Sequence, residues 1–156
     1  MPDVGKKAPA FTLLDQHGAK RRLSEFAGRW LVLYAYPKDD TPGCTREACD
    51  FTAGLAAFEA LDAAVLGISR DSVESHAKFA AKHALKVTLL SDPDHAVLEA
   101  YGAWGEKVLY GKKSVGVIRS TVLVDPTGKV AHHWKKVKVD GHADAVRARI
   151  AELAGR

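Results

Sequence analysis

Residues 30–51, WLVLYAYPKDDTPGCTREACDF, run from an apolar stretch straight into a helix start. WLVLYAY has the continuous apolarity of a strand buried on both faces. Pro37 ends the run, and Thr41 with Pro42 forms the N-cap and first-position pair with which helices begin. The β-then-α pattern recurs. AAVLGIS (63–69) precedes VESHAKFAAKHAL (73–85), with Asp71 or Ser72 as N-cap. VTLLS (87–91) precedes DPDHAVLEAYG (92–102), with Pro93 near the helix start and Gly102 near its end.

Around these units, AFTLLDQHGAKRRL (10–23) reads as a hairpin turning at DQHG. SVGVIRSTVLVD (114–125) and KVAHHWKKV (129–137) read as two strands about the turn DPTG, and ADAVRARIAELA (143–154) as a closing helix. Alternating strands and helices imply an α/β sandwich of three layers, thioredoxin-like in element order. Its central mixed sheet is flanked by helices and accompanied by an N-terminal β-hairpin. No repeat, linker or low-complexity segment interrupts the chain, so residues 1–156 are expected to form a single domain.

A chain of 156 residues builds a core without crosslinks. It opens MPDVGKKAPAF, without the apolar core of a secretory signal, and no apolar run reaches the roughly 18 residues of a membrane span. The expectation is a cytoplasmic protein that does not engage a membrane. Net charge is +4, with signs interspersed except in the mildly basic GKVAHHWKKVKVDGH (128–142). No basic helix or aromatic RNA-reading motif accompanies that tract, so no nucleic-acid partner is expected.

The two cysteines, Cys44 and Cys49, are the only ones in the chain. In a reducing compartment such a pair points to catalysis, redox sensing or metal binding rather than a permanent staple. Cys44 falls in the first helical turn, where free backbone N–H groups and the helix dipole favour a thiolate. One exposed helix terminus contributes only about 0.3–1 kcal/mol, so a second cation is expected. Arg119 answers that need, because a guanidinium in an otherwise apolar strand is out of place unless paired. Its candidate partners are the Cys44 thiolate and a carboxylate such as Glu47.

Five residues along a regular helix separate the two Cα atoms by roughly 8.6 Å, beyond the roughly 7 Å that a disulfide spans. The pair is not a C-x-x-C motif, and it closes only if the first turns of the helix unwind. Thr45, Asp50, Thr52 and Gly54 are poor helix formers, so that opening is inexpensive. A reduced helical state and an oxidised, locally unfolded state follow. None of the seven histidines stands at ligand spacing near Cys44. His132 and His133 point to opposite faces of a strand, and His76, His83 and His95 are assigned no chemical role. A thiol redox sensor and a copper carrier of thioredoxin fold remain the rival readings.

Pro37-x-x-x-Thr41-x-x-Cys44 with a distant Arg119 resembles the active-site signature of peroxiredoxins. YPKDDTPGCTREACDF, VLGISRDSVESHAKFAAKH, LLSDPDHAVLEAYGAWGEK and IRSTVLVDPTGKV are together similar to the bacterioferritin-comigratory-protein/PrxQ subfamily over nearly the whole chain. The resemblance implies a thiol peroxidase acting on hydrogen peroxide and organic hydroperoxides. Cys44 would be the peroxidatic and Cys49 the resolving cysteine of an intramolecular disulfide, re-reduced by thioredoxin or a glutaredoxin-like protein. Thr41 would position the peroxide, Pro37 would shield the sulfur, and Arg119 would hold the thiolate. Gly43 would offer backbone N–H groups to the substrate, and Trp104 would form a pocket wall, a docking point or plain packing. No cofactor or metal is implied, and an intrachain resolving cysteine makes a monomer the expected state. Ala35 and Val122 depart from the aromatic residues common in the family, which bears on the shape of the substrate pocket.

Overall fold

A computed structural model describes residues 2–155. Strand β3 (Trp30–Ala35) is an interior strand of its sheet, and its neighbours in sequence are β1 (Thr12–Leu14), β2 (Lys20–Arg22) and β4 (Ala63–Ser69). The later strands are β5 (Thr88–Ser91), β6 (Trp104–Leu109), β7 (Lys112–Val117), β8 (Ser120–Val124) and β9 (Val130–Trp134). Helices are α1 (Pro42–Ala53), α2 (Leu55–Ala60), α3 (Val73–His83), α4 (Ala96–Ala100) and α5 (His142–Leu153). Seven strands form one mixed sheet in the order β2-β1-β5-β4-β3-β8-β9. β3, β4 and β5 run parallel, β8 and β9 join antiparallel, and the N-terminal hairpin extends the far edge through Leu14 opposite Ser91.

The apolar run through β3 is buried on both faces, as its composition requires. Val32, Tyr34 and Tyr36 enter one core cluster with Ala48 and Phe51 of α1 and Phe79 of α3; Leu31, Leu33 and Ala35 enter the other with Leu98 of α4. These are the helix–sheet–helix layers expected of the thioredoxin-like arrangement. Tyr34 stacks on Phe51 at 4.6 Å, and its ring passes so close over Gly67 of β4 that an added Cβ would lie 2.7 Å from it. Glycine is needed there because nothing larger clears the ring.

Several expectations need correction. The stretch 114–125 is two strands, not one. β7 pairs with β6 in a separate two-stranded sheet, and the chain re-enters the main sheet at β8. Between them the Ile118 N–H donates to the Ala103 carbonyl at 2.7 Å and the Arg119 carbonyl accepts from the Val137 N–H at 2.9 Å. Those bonds draw the backbone out of a single ladder. Burial on both faces holds for all of β8 but not for β7, where Val115 is 65 % exposed. The β6–β7 hairpin turns at Tyr110 and Gly111, both with positive φ (52° and 76°). The helix expected over 73–85 stops at His83, because Ala84 adopts a left-handed φ of 51°. The helix expected within 92–102 shortens to five residues, Pro93 standing before the N-cap His95. Among the described residues, no helix is long and apolar enough to cross a membrane.

Candidate active site

β3 delivers the chain to Pro37, and the loop 37–41 carries it to the start of α1. Thr41 occupies the N-cap position with extended φ and ψ (−97°, 155°), and Pro42 takes the first helical position. The hydroxyl does not cap the helix as expected; it turns back and donates to the Lys38 carbonyl at 2.7 Å. The backbone N–H groups of Gly43 and Cys44 therefore lack a side-chain cap. The first rung of the helix is the Thr45 N–H to the Thr41 carbonyl at 2.8 Å.

Cys44 is buried at 1 % exposure, with its sulfur turned toward Arg119. Arg119, held in the break between β7 and β8, donates from Nη2 to the Cys44 Sγ at 3.2 Å and from Nη1 to the Glu47 Oε1 at 2.6 Å. The two partners weighed as alternatives are both engaged at once. Gly43 explains how the guanidinium comes so near, since a Cβ at this position would stand 3.3 Å from Nη2. Burial works against the charge on Arg119, yet Glu47 and the Cys44 sulfur outweigh it and hold the guanidinium above its ordinary value.

Glu47 is 1 % exposed, and its second oxygen, Oε2, has no hydrogen-bond partner among the described residues. Burial pushes its carboxyl from the ordinary 4.5 up to about 7, against the pull of Arg119. The short bond and the upward shift oppose each other, and desolvation wins because only one of the two oxygens is satisfied. Burial thus makes Glu47 easier to protonate in the folded protein than a free carboxyl, even while it accepts from Arg119.

Cys49 lies farther along the same unbroken helix, half-buried against the core cluster that holds Cys44, and both cysteines are free. Pro37 and Arg119 line one cleft of about 450 Å³ with Val117, Ile118 and Val137. Arg119 lines this cleft and bonds the sulfur, while Cys44 is not part of the cleft lining. Trp104 begins β6 outside that lining; its ring stacks on His95 at 3.9 Å, with the Arg70 guanidinium 5.1 Å from its centre. Ala35 and Val122, the two departures from the family pattern, are buried in the core cluster opposite α1 and do not line the cleft. Their effect falls on packing rather than on the cleft wall.

Glu47, weighed in the sequence as a carboxylate partner of Arg119, holds that place one turn beyond Cys44. One feature escaped the sequence reading. His76, assigned no role, is fully buried and bonds Asp39 in the loop before α1 at 2.7 Å. The available signal was two adjacent aspartates in a strand-to-helix loop facing a helix with histidines seven residues apart.

The AhpC/TSA family model matches residues 4–133. The chain is 50 % identical over 154 residues to peroxiredoxin Bcp of Xanthomonas campestris, covering 96 % of each chain. It is 46 % identical over 140 residues to peroxiredoxin Bcp of Bacillus subtilis, covering 90 % of this chain and 89 % of that one. The solved structure of the Xanthomonas campestris bacterioferritin comigratory protein, described for its alkyl peroxide reduction activity, superposes with a TM-score of 0.90 at 46 % identity. That match covers 97 % of this chain and 99 % of the other.

Proposed function

Because the chain belongs to the AhpC/TSA family and, within it, to the Bcp/PrxQ peroxiredoxins, which are peroxidases, we propose that Cys44 reduces hydroperoxides and that Cys49 resolves it. The observation that carries this reading is the 3.2 Å bond from Arg119 Nη2 to a buried cysteine sulfur in the first turn of a helix.

The hydroperoxide enters past Pro37 and Arg119. The Thr41 hydroxyl hydrogen is committed to the Lys38 carbonyl, so Oγ1 offers a lone pair to the O–H of the peroxide. The Cys44 thiolate attacks the terminal oxygen along the O–O axis. The S–O bond forms as the O–O bond breaks, two electrons pass from sulfur to the peroxide, and the departing alkoxide or hydroxide takes a proton to leave as alcohol or water. Arg119 and the uncapped N–H groups of Gly43 and Cys44 stabilise the charge that moves across these oxygens. Cys44 is left as a sulfenic acid. Pro37 limits water at the sulfur.

Cys49 then attacks the Cys44 sulfur as a thiolate, hydroxide leaves as water, and an intramolecular disulfide forms. An unwound α1 start is required, since the helical spacing of roughly 8.6 Å exceeds disulfide reach. Thioredoxin, or a glutaredoxin-like dithiol, reduces the disulfide. Hydrogen peroxide and organic hydroperoxides are the substrates, no cofactor takes part, and the protein works as a single cytoplasmic domain and a monomer. The alkyl peroxide reduction described for the Xanthomonas relative supports the organic half of that range.

The test is peroxide consumption coupled to thioredoxin and NADPH, with intact mass after peroxide treatment. Wild type is expected to turn over and to lose two hydrogens, Cys44→Ser to be inactive, and Cys49→Ser to accumulate sulfenic or over-oxidised Cys44. A wild type that consumes no peroxide, or a fully active Cys44→Ser, overturns the reading.

A further inference from the structure

Two consecutive aspartates, Asp39 and Asp40, sit in the loop that leads into the helix of Cys44, and each grips α3. Asp39 is 7 % exposed. Its Oδ1 accepts the Tyr36 hydroxyl at 2.5 Å, and its Oδ2 accepts the Ser75 hydroxyl at 2.8 Å and meets His76 Nδ1 at 2.7 Å. Its backbone N–H donates to Asp71 Oδ2 at 2.9 Å, which also accepts the Ser69 hydroxyl at 2.6 Å. His76 Nε2 faces the Leu90 carbonyl at 2.9 Å and so must carry a hydrogen. A further proton therefore lies between Nδ1 and the Asp39 carboxyl. The polar atoms of Asp39, Asp71 and His76 come within 4.8 Å of one another, but each already has a protein partner, so the cluster is an internal network.

A buried acid–imidazole pair is a poor way to gain stability, because two desolvated polar groups rarely outdo apolar residues of the same volume. What it supplies is position. Asp40 continues the grip, its carboxylate accepting from Lys82 Nζ at 2.7 Å and bonding His83 Nε2 at 2.8 Å, while its backbone adopts a left-handed φ of 59°. His76 and His83 are seven residues apart and so lie on one face of α3. The next residue is Thr41, which closes the loop onto Lys38. The placement of Pro37, of Thr41 and of the first turn of α1 thus depends on how α3 holds these two aspartates.

We propose that Asp39 and His76 are positioning residues for the Cys44 reaction, clamping the loop 37–41 to α3 and so holding the peroxide site assembled until Cys49 is needed. The inference rests on the Cys44–Cys49 cycle set out above. Once Cys44 is a sulfenic acid, two fates compete. In one, the sulfenate attacks a second hydroperoxide, becoming sulfinate while an alcohol leaves; in the other, α1 opens and Cys49 displaces hydroxide to give the disulfide. Second attack needs the assembled site, and closure needs the open one. Loosening the clamp slows the first peroxide reaction and shifts the sulfenic acid toward disulfide.

The experiment compares wild type with Asp39→Asn, His76→Gln and Ile150→Val, the last trimming the core on α5 as a stability control. Peroxide titration followed by intact mass gives the sulfinic-to-disulfide ratio, and rapid-mixing oxidation gives the rate of the first step. Both clamp variants are expected to react with peroxide about tenfold more slowly, as a misplaced site does. They should also form several-fold less sulfinic acid per turnover. Ile150→Val, assayed well below its melting temperature, changes neither. If a clamp variant does not fold, Ser75→Ala, which deletes one bond to Asp39, is expected to move both readouts in the same direction by less. An active wild type whose foldable clamp variants keep its rate and ratio overturns this inference alone; an inactive wild type overturns the peroxidase reading.

Discussion

Arg119 holds two partners with one guanidinium, and that geometry is specific to arginine. Its two terminal nitrogens reach the Cys44 sulfur and Glu47 simultaneously, at 3.2 and 2.6 Å. A lysine ammonium, a compact charge on a flexible stem, cannot keep both directions at once. Arg119→Lys should therefore lower kcat/KM for peroxide by roughly 10²–10³-fold, the scale of losing one oriented donor at a reacting centre, while leaving the fold intact by circular dichroism. Retention of near-wild-type kcat/KM would show that charge alone, not the fork, is what the sulfur needs. Residues of this kind were the most legible in the sequence. Cys44, Thr41 and Arg119 announce themselves because their chemistry is rare in an apolar setting or costly there. His76 did not, because a single imidazole on an amphipathic helix reads the same whether it faces solvent or the core, and for Glu47 only the pairing with Arg119, not its burial, was legible.

In the proposed Cys44–Cys49 cycle, the helix α1 is formed for the peroxide step and open for the disulfide step, so its stability would set the exchange between them. Thr45 lies in the turn that has to unwind, and its N–H makes the first helical rung to Thr41. Thr45→Ala replaces a β-branched residue by the best helix former, a gain of about 0.5 kcal/mol that corresponds to about a twofold shift in the opening equilibrium. Disulfide closure, followed by rapid acid quench and mass, should slow about twofold, and sulfinic acid should build up at lower peroxide. Unchanged closure would mean that unwinding is not the limiting event. The elements themselves were legible wherever one period prevailed, as in the apolar β3 run and in α3 with its Ser72 cap, whose hydroxyl accepts the Ser75 N–H at 3.1 Å. The β6–β7 hairpin was not. Its turn is Tyr110-Gly111, where asparagine or aspartate usually precedes the glycine, and its strands carry charge on an exposed sheet rather than a core-facing alternation. The break at Arg119 was equally silent, since residues 114–125 satisfy strand propensity throughout while two long-range backbone bonds divide them.

Across the whole molecule, two buried titrating groups near Arg119 pull stability in opposite directions. Glu47 rises from 4.5 to about 7, so between those values the folded protein binds a proton that the unfolded chain does not, and stability increases as pH falls through this range. His142 does the reverse. Buried at 6 % exposure, it bonds Thr121 Oγ1 at 2.8 Å and packs in T-shaped contact with Phe51 and Trp134. Desolvation, with Arg119 adding to it, pushes the imidazole from 6.5 down to about 4, so stability is lost as pH falls from 6.5 toward 4. Each gap is worth up to about 3 kcal/mol, and between pH 4.5 and 6.5 the two contributions cancel. Glu47→Gln should leave the His142 contribution unopposed, so that relative to wild type the variant loses stability on acidification through that window. His142→Gln should do the opposite and gain, relative to wild type, as pH falls from 6.5 to about 4. Urea unfolding of the three proteins at matched pH values reads both slopes. Parallel profiles would mean that neither group is as desolvated as its surroundings imply. Opposite tilts would establish that a flat wild-type response comes from balance between a carboxyl tied to Arg119 and an imidazole that Arg119 repels.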